Sequence, residues 1–274
     1  MNLPILTRIL VLLGLNSIPA LGWFGVGWSE GTLLAVYWCE SIMLVALVSA
    51  RIVLHRTKTR TAGHWRVHTQ LMDKHGNPVA PPKPGPNRFL ASYVGVMIPF
   101  LLVQGLVLGG LLVMLPGMDG MADTAVNRHD VLRGVIGMAG FLVLGFLMDI
   151  PRIGEKPFAW IRTMSQHAQG RLLVFQFSIL IGLPLMSFTD QPRLFFSVFV
   201  ILKTWLDFSI YLPSLEPKEA PKWLCRLMDK IPGPAGAETR PGGFAAFWRR
   251  DIAEQQELAA LDERRMEVDA EASP

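Results

Sequence analysis

The feature that most limits what this chain can become is the recurrence of long apolar runs, each close to the length that crosses a hydrocarbon core. A helix rises 1.5 Å per residue, so about 20 mostly apolar residues are needed. Six such runs can be read, at residues 4–24, 32–54, 89–115, 131–150, 172–188 and 194–212. They predict an all-α fold, a polytopic membrane helix bundle with six transmembrane helices. Only 18% of the residues are charged, against 51% hydrophobic, and the mean hydropathy is +0.35. Soluble domains carry about 25% charge, so an ordinary soluble enzyme, a disordered chain and a coiled coil are all excluded.

The expected organisation follows from these runs. Residues 1–213 form the transmembrane domain, with a basic, proline-rich loop at 55–88. Residues 214–274 form a polar tail. The first run is read as a retained helix, because Ser17-Ile18-Pro19 before Ala20 is a poor cleavage site and apolar residues continue through Trp23 and Phe24.

Lys and Arg stay on the cytoplasmic side of a membrane. The segment 51–88 carries Arg51, Arg56, Lys58, Arg60, Arg66, Lys74, Lys83 and Arg88 against Asp73. The segment 152–171 carries Arg152, Lys156, Arg162 and Arg171 against Glu155. The alternate loops are poorer in positive charge, with none in Trp28-Ser29-Glu30-Gly31. Both termini are therefore expected to be cytoplasmic. The net charge of +4 is then a topology signal, with no nucleic-acid partner implied. The lipid bilayer is the expected partner, together with a membrane protein or a second copy of the chain.

The polar segments name no reaction. His64 and His68 stand at i, i+4, a metal-chelating spacing on a helix, with His55, His75 and Asp73 nearby. No carboxylate or cysteine other than Asp73 completes a set, so neither a metal nor a cofactor is expected. Cys39 and Cys225 are too remote from one another to suggest a disulfide framework. In the tail, residues 221–228 mix Trp and Leu with basic residues as an interfacial helix would. Residues 244–269 read as a mostly polar, solvated helix. Gly105 and Gly109, and Gly134, Gly137 and Gly140, are expected at helix contacts, where small residues let backbones approach.

Charges inside apolar runs are the most informative residues. One at mid-membrane costs about 2.5–3.5 kcal/mol on insertion scales. Glu40, Lys203 and Asp207 qualify. Arg8, Arg133 and Asp149 lie near the ends of their runs and can reach water. Lys203 and Asp207, at i, i+4, share a helix face, which Tyr211 continues. Tyr37 and Ser41 share a face with Glu40. Glu40 and Lys203 each lie about eight or nine residues into parallel runs, roughly 12–14 Å deep. Asn16 falls near that level and Gln104 somewhat deeper. The expectation is a buried polar layer of Glu40, Lys203, Asp207, Asn16, Gln104 and Tyr37. Its two carboxylates and one ammonium would sum to −1, favouring a shared proton. A structural lock and an ion or proton site both fit this layer, and no catalytic residue is assigned.

Tyr37-Trp38-x-Glu40 in the second run and Lys203-Thr204-x-x-Asp207 in the last resemble an uncharacterised family of prokaryotic multi-pass membrane proteins, catalogued as a domain of unknown function. Its members carry Tyr-Trp-x-Glu-Asn early and Lys-x-x-x-Asp in the final helix. The likeness covers roughly residues 11–212. Ser41 replaces the family's Asn, and Ser92, Tyr93 and Gln104 stand in the region where the family tends to carry His, which weakens a histidine-based metal or haem site. The resemblance implies architecture and a shared buried Glu/Lys/Asp set, and no activity. The expected function is a non-enzymatic scaffold or accessory subunit. The alternative is a proton- or ion-coupled carrier working through Glu40, Lys203 and Asp207.

Overall fold

A computed structural model of the chain describes residues 3–66, 85, 87–114, 126–189, 192–209, 219–228 and 243–265. Among them, every regular element is a helix. Helix α1 (Leu3–Ala20) continues into a π-helical turn, Leu21–Val26, which ends at left-handed Gly27. Helix α2 (Glu30–Thr59) begins at Ser29, whose hydroxyl accepts the Thr32 N–H, and carries Glu30 in its first turn. Both features compensate the unpaired N–H groups and positive dipole at a helix start. A 3-10 turn, Ala62–Trp65, follows. Helix α3 spans Arg88–Met114. Helix α4 (Arg128–Asp149) is capped by Asn127, which accepts from the His129 and Asp130 N–H groups. After the 3-10 segment Ile150–Glu155 come α5 (Phe158–Thr189), α6 (Pro192–Ser209), α7 (Lys222–Met228) and α8 (Gly243–Asp262).

Among the described residues, four segments are long and apolar enough to cross a membrane: Ile9–Val26, Glu30–Thr59, Arg88–Gly110 and Arg128–Glu155. The expected run 172–188 lies in α5, and residues 194–209 of the last run lie in α6, which carries a shorter apolar stretch, Phe196–Trp205. The outer surface suits hydrocarbon: on α3, Leu106 is 77% exposed and Val113 81%. A soluble domain seldom turns such a face to water.

Helix α2 is central, packing on α3, α4 and α5, while α1 packs on α4 and α6. Two apolar clusters fill the interior. One gathers Trp28, Val36, Tyr37, Phe175 and Phe199, and the other Val48, Ile52, Phe89, Met97, Phe158 and Leu172. The glycines divide by their surroundings. A Cβ on Gly105 would meet the Trp38 ring at 2.7 Å, and one on Gly134 would meet Trp28 at 2.7 Å and Val36 at 3.0 Å. Gly137 faces Ile18. Among the described residues nothing lies within 4 Å of a Cβ on Gly109 or Gly140, so the expected Gly105–Gly109 pair is corrected there to one contact glycine.

The tail corrects a second expectation. The described part of residues 244–269 is docked as well as helical. Phe244 and Asp262 are buried, and the Ala62 N–H donates to the Arg264 carbonyl at 2.8 Å. The Glu263 carboxylate accepts the Phe158 and Ala159 N–H groups, both at 2.9 Å. Those are orphan donors at the start of α5, and the residue before that helix, Pro157, has no side-chain acceptor to offer. The cap comes from the far end of the chain, which hydropathy does not reveal.

Two outcomes follow. Gly105→Leu should lower the unfolding temperature in detergent, whereas Gly109→Ala should leave it unchanged or raise it, since a helical glycine without contacts costs up to about 1 kcal/mol relative to alanine. Glu263→Ala should destabilise by about 1 kcal/mol, in the range of a lost N-cap, and speed amide exchange at Phe158 and Ala159. Unchanged exchange there would show that the carboxylate does not cap α5.

Candidate functional site

Glu40, on α2, is the hub of a buried charge cluster. Lys203 reaches it from α6, with Nζ 3.0 Å from Oε2 and 3.1 Å from Oε1. The same ammonium is 3.0 Å from Asp207 Oδ2, one turn along α6. It donates to Asn16 Oδ1 on α1 at 3.3 Å and lies 4.9 Å from the centre of the Tyr37 ring. Two carboxylates, one amide oxygen and an aromatic face thus surround one ammonium, so its desolvation is compensated on several sides.

The residue missed by sequence reasoning is Arg171. By hydropathy it belongs with the charges of the segment 152–171, because the fifth apolar run begins at residue 172. Helix α5 in fact runs unbroken from Phe158 to Thr189 and carries Arg171 on its interior face. Its Nε lies 2.8 Å from Asp207 Oδ1, and its Nη2 donates to Asp207 Oδ2 at 3.1 Å and to Glu40 Oε1. One planar guanidinium thereby joins both carboxylates, which a lysine cannot do with fixed geometry. The expected charge of −1 is corrected as well. Glu40 and Asp207 against Lys203 and Arg171 sum to zero, and the reason for a shared proton disappears.

Of the other expected members, Asn16 and Tyr37 join the cluster and Gln104 does not. The Gln104 amide is fully buried on α3 and donates to the Leu172 carbonyl at 3.0 Å, tying α3 to α5. The Tyr37 hydroxyl is buried and has no hydrogen-bond partner among the described residues; the ring packs edge-on against Phe199 at 5.2 Å. Tyr211 lies outside the described residues.

A second ion pair sits nearer the basic end of the bundle. Arg51 Nε on α2 is 3.0 Å from Asp149 Oδ2 on α4, and the guanidinium lies 5.1 Å from the Phe146 ring centre. Side-chain exposures of 10% and 12% correct the reading of Asp149 as a solvated helix end and of Arg51 as a loop charge. Between this pair and Arg171 is a cavity of about 360 Å³. Its lining comes from α1, α2, α4, α5 and α6, and includes Leu12, Leu44, Val48, Phe141, Trp160, Met164, His167 and Asp207.

Two of the histidines noted in the sequence, His55 and His64, are brought together. His64, in the 3-10 turn, is buried with its Nε2 2.8 Å from His55 Nδ1. His55 Nε2 is 2.9 Å from the Lys156 carbonyl. A carbonyl can only accept, so His55 Nε2 carries the proton and His55 Nδ1 accepts from His64. This pair pins the 3-10 turn to the loop before α5. His68, His75 and Asp73 lie outside the described residues, as does most of the proline-rich segment. Among the described residues, no group of three or more His, Cys, Asp or Glu could hold a metal ion.

Charge balance predicts an unusual mutant series. Lys203→Met leaves the interior at −1 and should destabilise by roughly 3–5 kcal/mol, the range for breaking a buried pair. Adding Glu40→Gln restores neutrality and should recover part of the loss in thermal unfolding. A double variant less stable than Lys203→Met would contradict this. Tyr37→Phe keeps the ring beside Lys203 and removes an unpaired hydroxyl, so it should change stability by less than about 1 kcal/mol.

No curated protein and no solved structure matches the chain. Residues 3–222 fit the model of a family of unknown function, DUF6498, in keeping with the uncharacterised family that the motifs suggested. The matched stretch includes Asn16, Tyr37, Glu40, Arg171, Lys203 and Asp207, and with most of its length matched, the chain belongs to the DUF6498 family.

Proposed function

We propose that this protein is a non-enzymatic scaffold or accessory subunit of the prokaryotic inner membrane, crossing it six times with both termini in the cytoplasm. The observation that carries the reading is the neutral charge cluster, which fastens α1, α2, α5 and α6 through Asn16, Glu40, Arg171, Lys203 and Asp207. A set in which every charge is compensated favours one helix arrangement over its alternatives, because any slip leaves a charge unpaired in an apolar interior. A rigid bundle with an apolar exterior and a tail docked on its basic end suits assembly with another membrane protein or a second copy. The topology rests on loop charge. With Arg51 and Arg171 assigned to helices, the segments 56–88 and 152–162 still carry ten positive residues, against Arg128, Arg133 and Arg193 in the alternate segments.

A second reading, a proton- or ion-coupled carrier, is favoured by one observation: the cavity reaches Arg171 and Asp207, so the cluster is not sealed on every side. Glu40→Gln separates the two in purified, reconstituted protein. A scaffold should lose thermal stability and show no ion flux before or after substitution. A carrier should fold and lose a proton or cation flux present in the unsubstituted protein.

Topology is tested by reporter fusions at residues 117 and 271, which should report opposite compartments. The same compartment at both sites would eliminate the six-span arrangement.

A further inference from the structure

We propose that the cavity between α1, α2, α4 and α5 is a binding site for a neutral amphiphile, an apolar chain bearing a carbonyl or ester head that accepts a hydrogen bond from Arg171. The site goes beyond the scaffold reading and does not depend on it.

Its volume, about 360 Å³, lies within the range of small-molecule sites, roughly 300–1,000 Å³. Leu12, Leu44, Val48, Phe141 and Met164 make apolar walls suited to a hydrocarbon body. Charge decides the head. The ionised lining groups are Arg51 with Asp149, and Arg171 with Asp207, which cancel pair by pair. A carboxylate or ammonium ligand would bring one uncompensated charge into this low-dielectric space, whereas a neutral molecule avoids that cost.

Hydrogen bonding decides the orientation. Arg171 presents five N–H donors. Nη2 donates to Asp207 and Glu40, and Nε lies in ion-pair contact with Asp207. Nη1 has no partner among the described residues. The side chain keeps 16% exposure and lines the cavity. A carbonyl oxygen satisfies such a donor without disturbing the neutral cluster behind it. The head therefore lies at Arg171 and the chain runs between the apolar walls.

Trp160 lines the same cavity and supplies the signal. The full chain, in phosphatidylcholine nanodiscs, is titrated with methyl 11-bromoundecanoate, whose bromine quenches tryptophan on contact. Saturable quenching is expected, and its saturable part should vanish in Trp160→Phe, which separates the site from simple partition into the bilayer. The 11-bromoundecanoate anion should bind at least about tenfold more weakly, as should the corresponding bromoalkyl ammonium. Gly145→Val narrows the cavity without touching a charge, and its Cβ would meet Val11 at an ordinary 3.5 Å; it should weaken the ester about tenfold. Arg171→Lys keeps the charge and removes Nη1, and should weaken the ester by a similar factor.

Quenching by the ester that never saturates, or that survives in Trp160→Phe, would overturn the site. Equal or tighter binding of the anion would overturn the neutral head. Unchanged affinity in a folded Arg171→Lys protein would overturn the role of Nη1. Should that variant not fold, Gly145→Val decides, and unchanged affinity there would remove the cavity as the place of binding. Lipids extracted from the purified protein distinguish the two sources of such a head: an enriched diacyl lipid points to the bilayer, and a free ester or ketone to a dedicated small molecule.

Discussion

The bridge that Arg171 makes between Glu40 and Asp207 is the interaction on which the interior of this bundle depends. Without it, two carboxylates would share the single Lys203 ammonium in an apolar interior. With it, two cations and two anions alternate, each within about 3 Å of an opposite charge. Mutual attraction can offset desolvation where every charge has an opposite partner this close. The guanidinium suits the position because its rigid fork engages two acceptors at once.

The cluster lies at the seam of the two apolar clusters rather than inside either. Along α2, Glu40 falls between Tyr37 of one and Val45 of the other; along α5, Arg171 stands beside Leu172 of one and one turn before Phe175 of the other. Non-directional packing on both sides fixes distance, and the ion pairs fix rotation and register. Gln104, bonded to the Leu172 carbonyl, adds a directional link for α3. The bundle is thus positioned by a few polar contacts within a large apolar contact surface, as expected where lipid and side chains are equally apolar and hydrophobicity cannot select helix neighbours.

The basic end is built differently. There the His55–His64 hydrogen bond, the Arg51–Asp149 pair and the Glu263 cap on α5 join segments far apart in the chain. Glu263 links the tail to the start of the helix that carries Arg171, one helix away from the Arg51–Asp149 pair. The cavity lies between that pair and the charge cluster, and α2, which carries both Arg51 and Glu40, runs along its two charged borders.

The sequence by itself determined the helical class, the apolar runs and the importance of Glu40, Lys203 and Asp207. Each follows from local chemistry: run length against bilayer thickness, and the cost of a charge within such a run. The i, i+4 spacing placed Lys203 and Asp207 on one face, and matching depth made Glu40 their neighbour. Tertiary structure alone decided Arg171, Arg51, Gln104 and Glu263. A hydropathy boundary is drawn where charge begins, so an arginine that continues a helix into the interior is read as the edge of a loop. Whether it is solvated or paired depends on carboxylates of other helices, and no local pattern records that. The tail helix is legible only as polar, because the two N–H groups that Glu263 accepts lie more than a hundred residues away. Long-range partners are set by packing, and packing is the one thing periodicity does not encode.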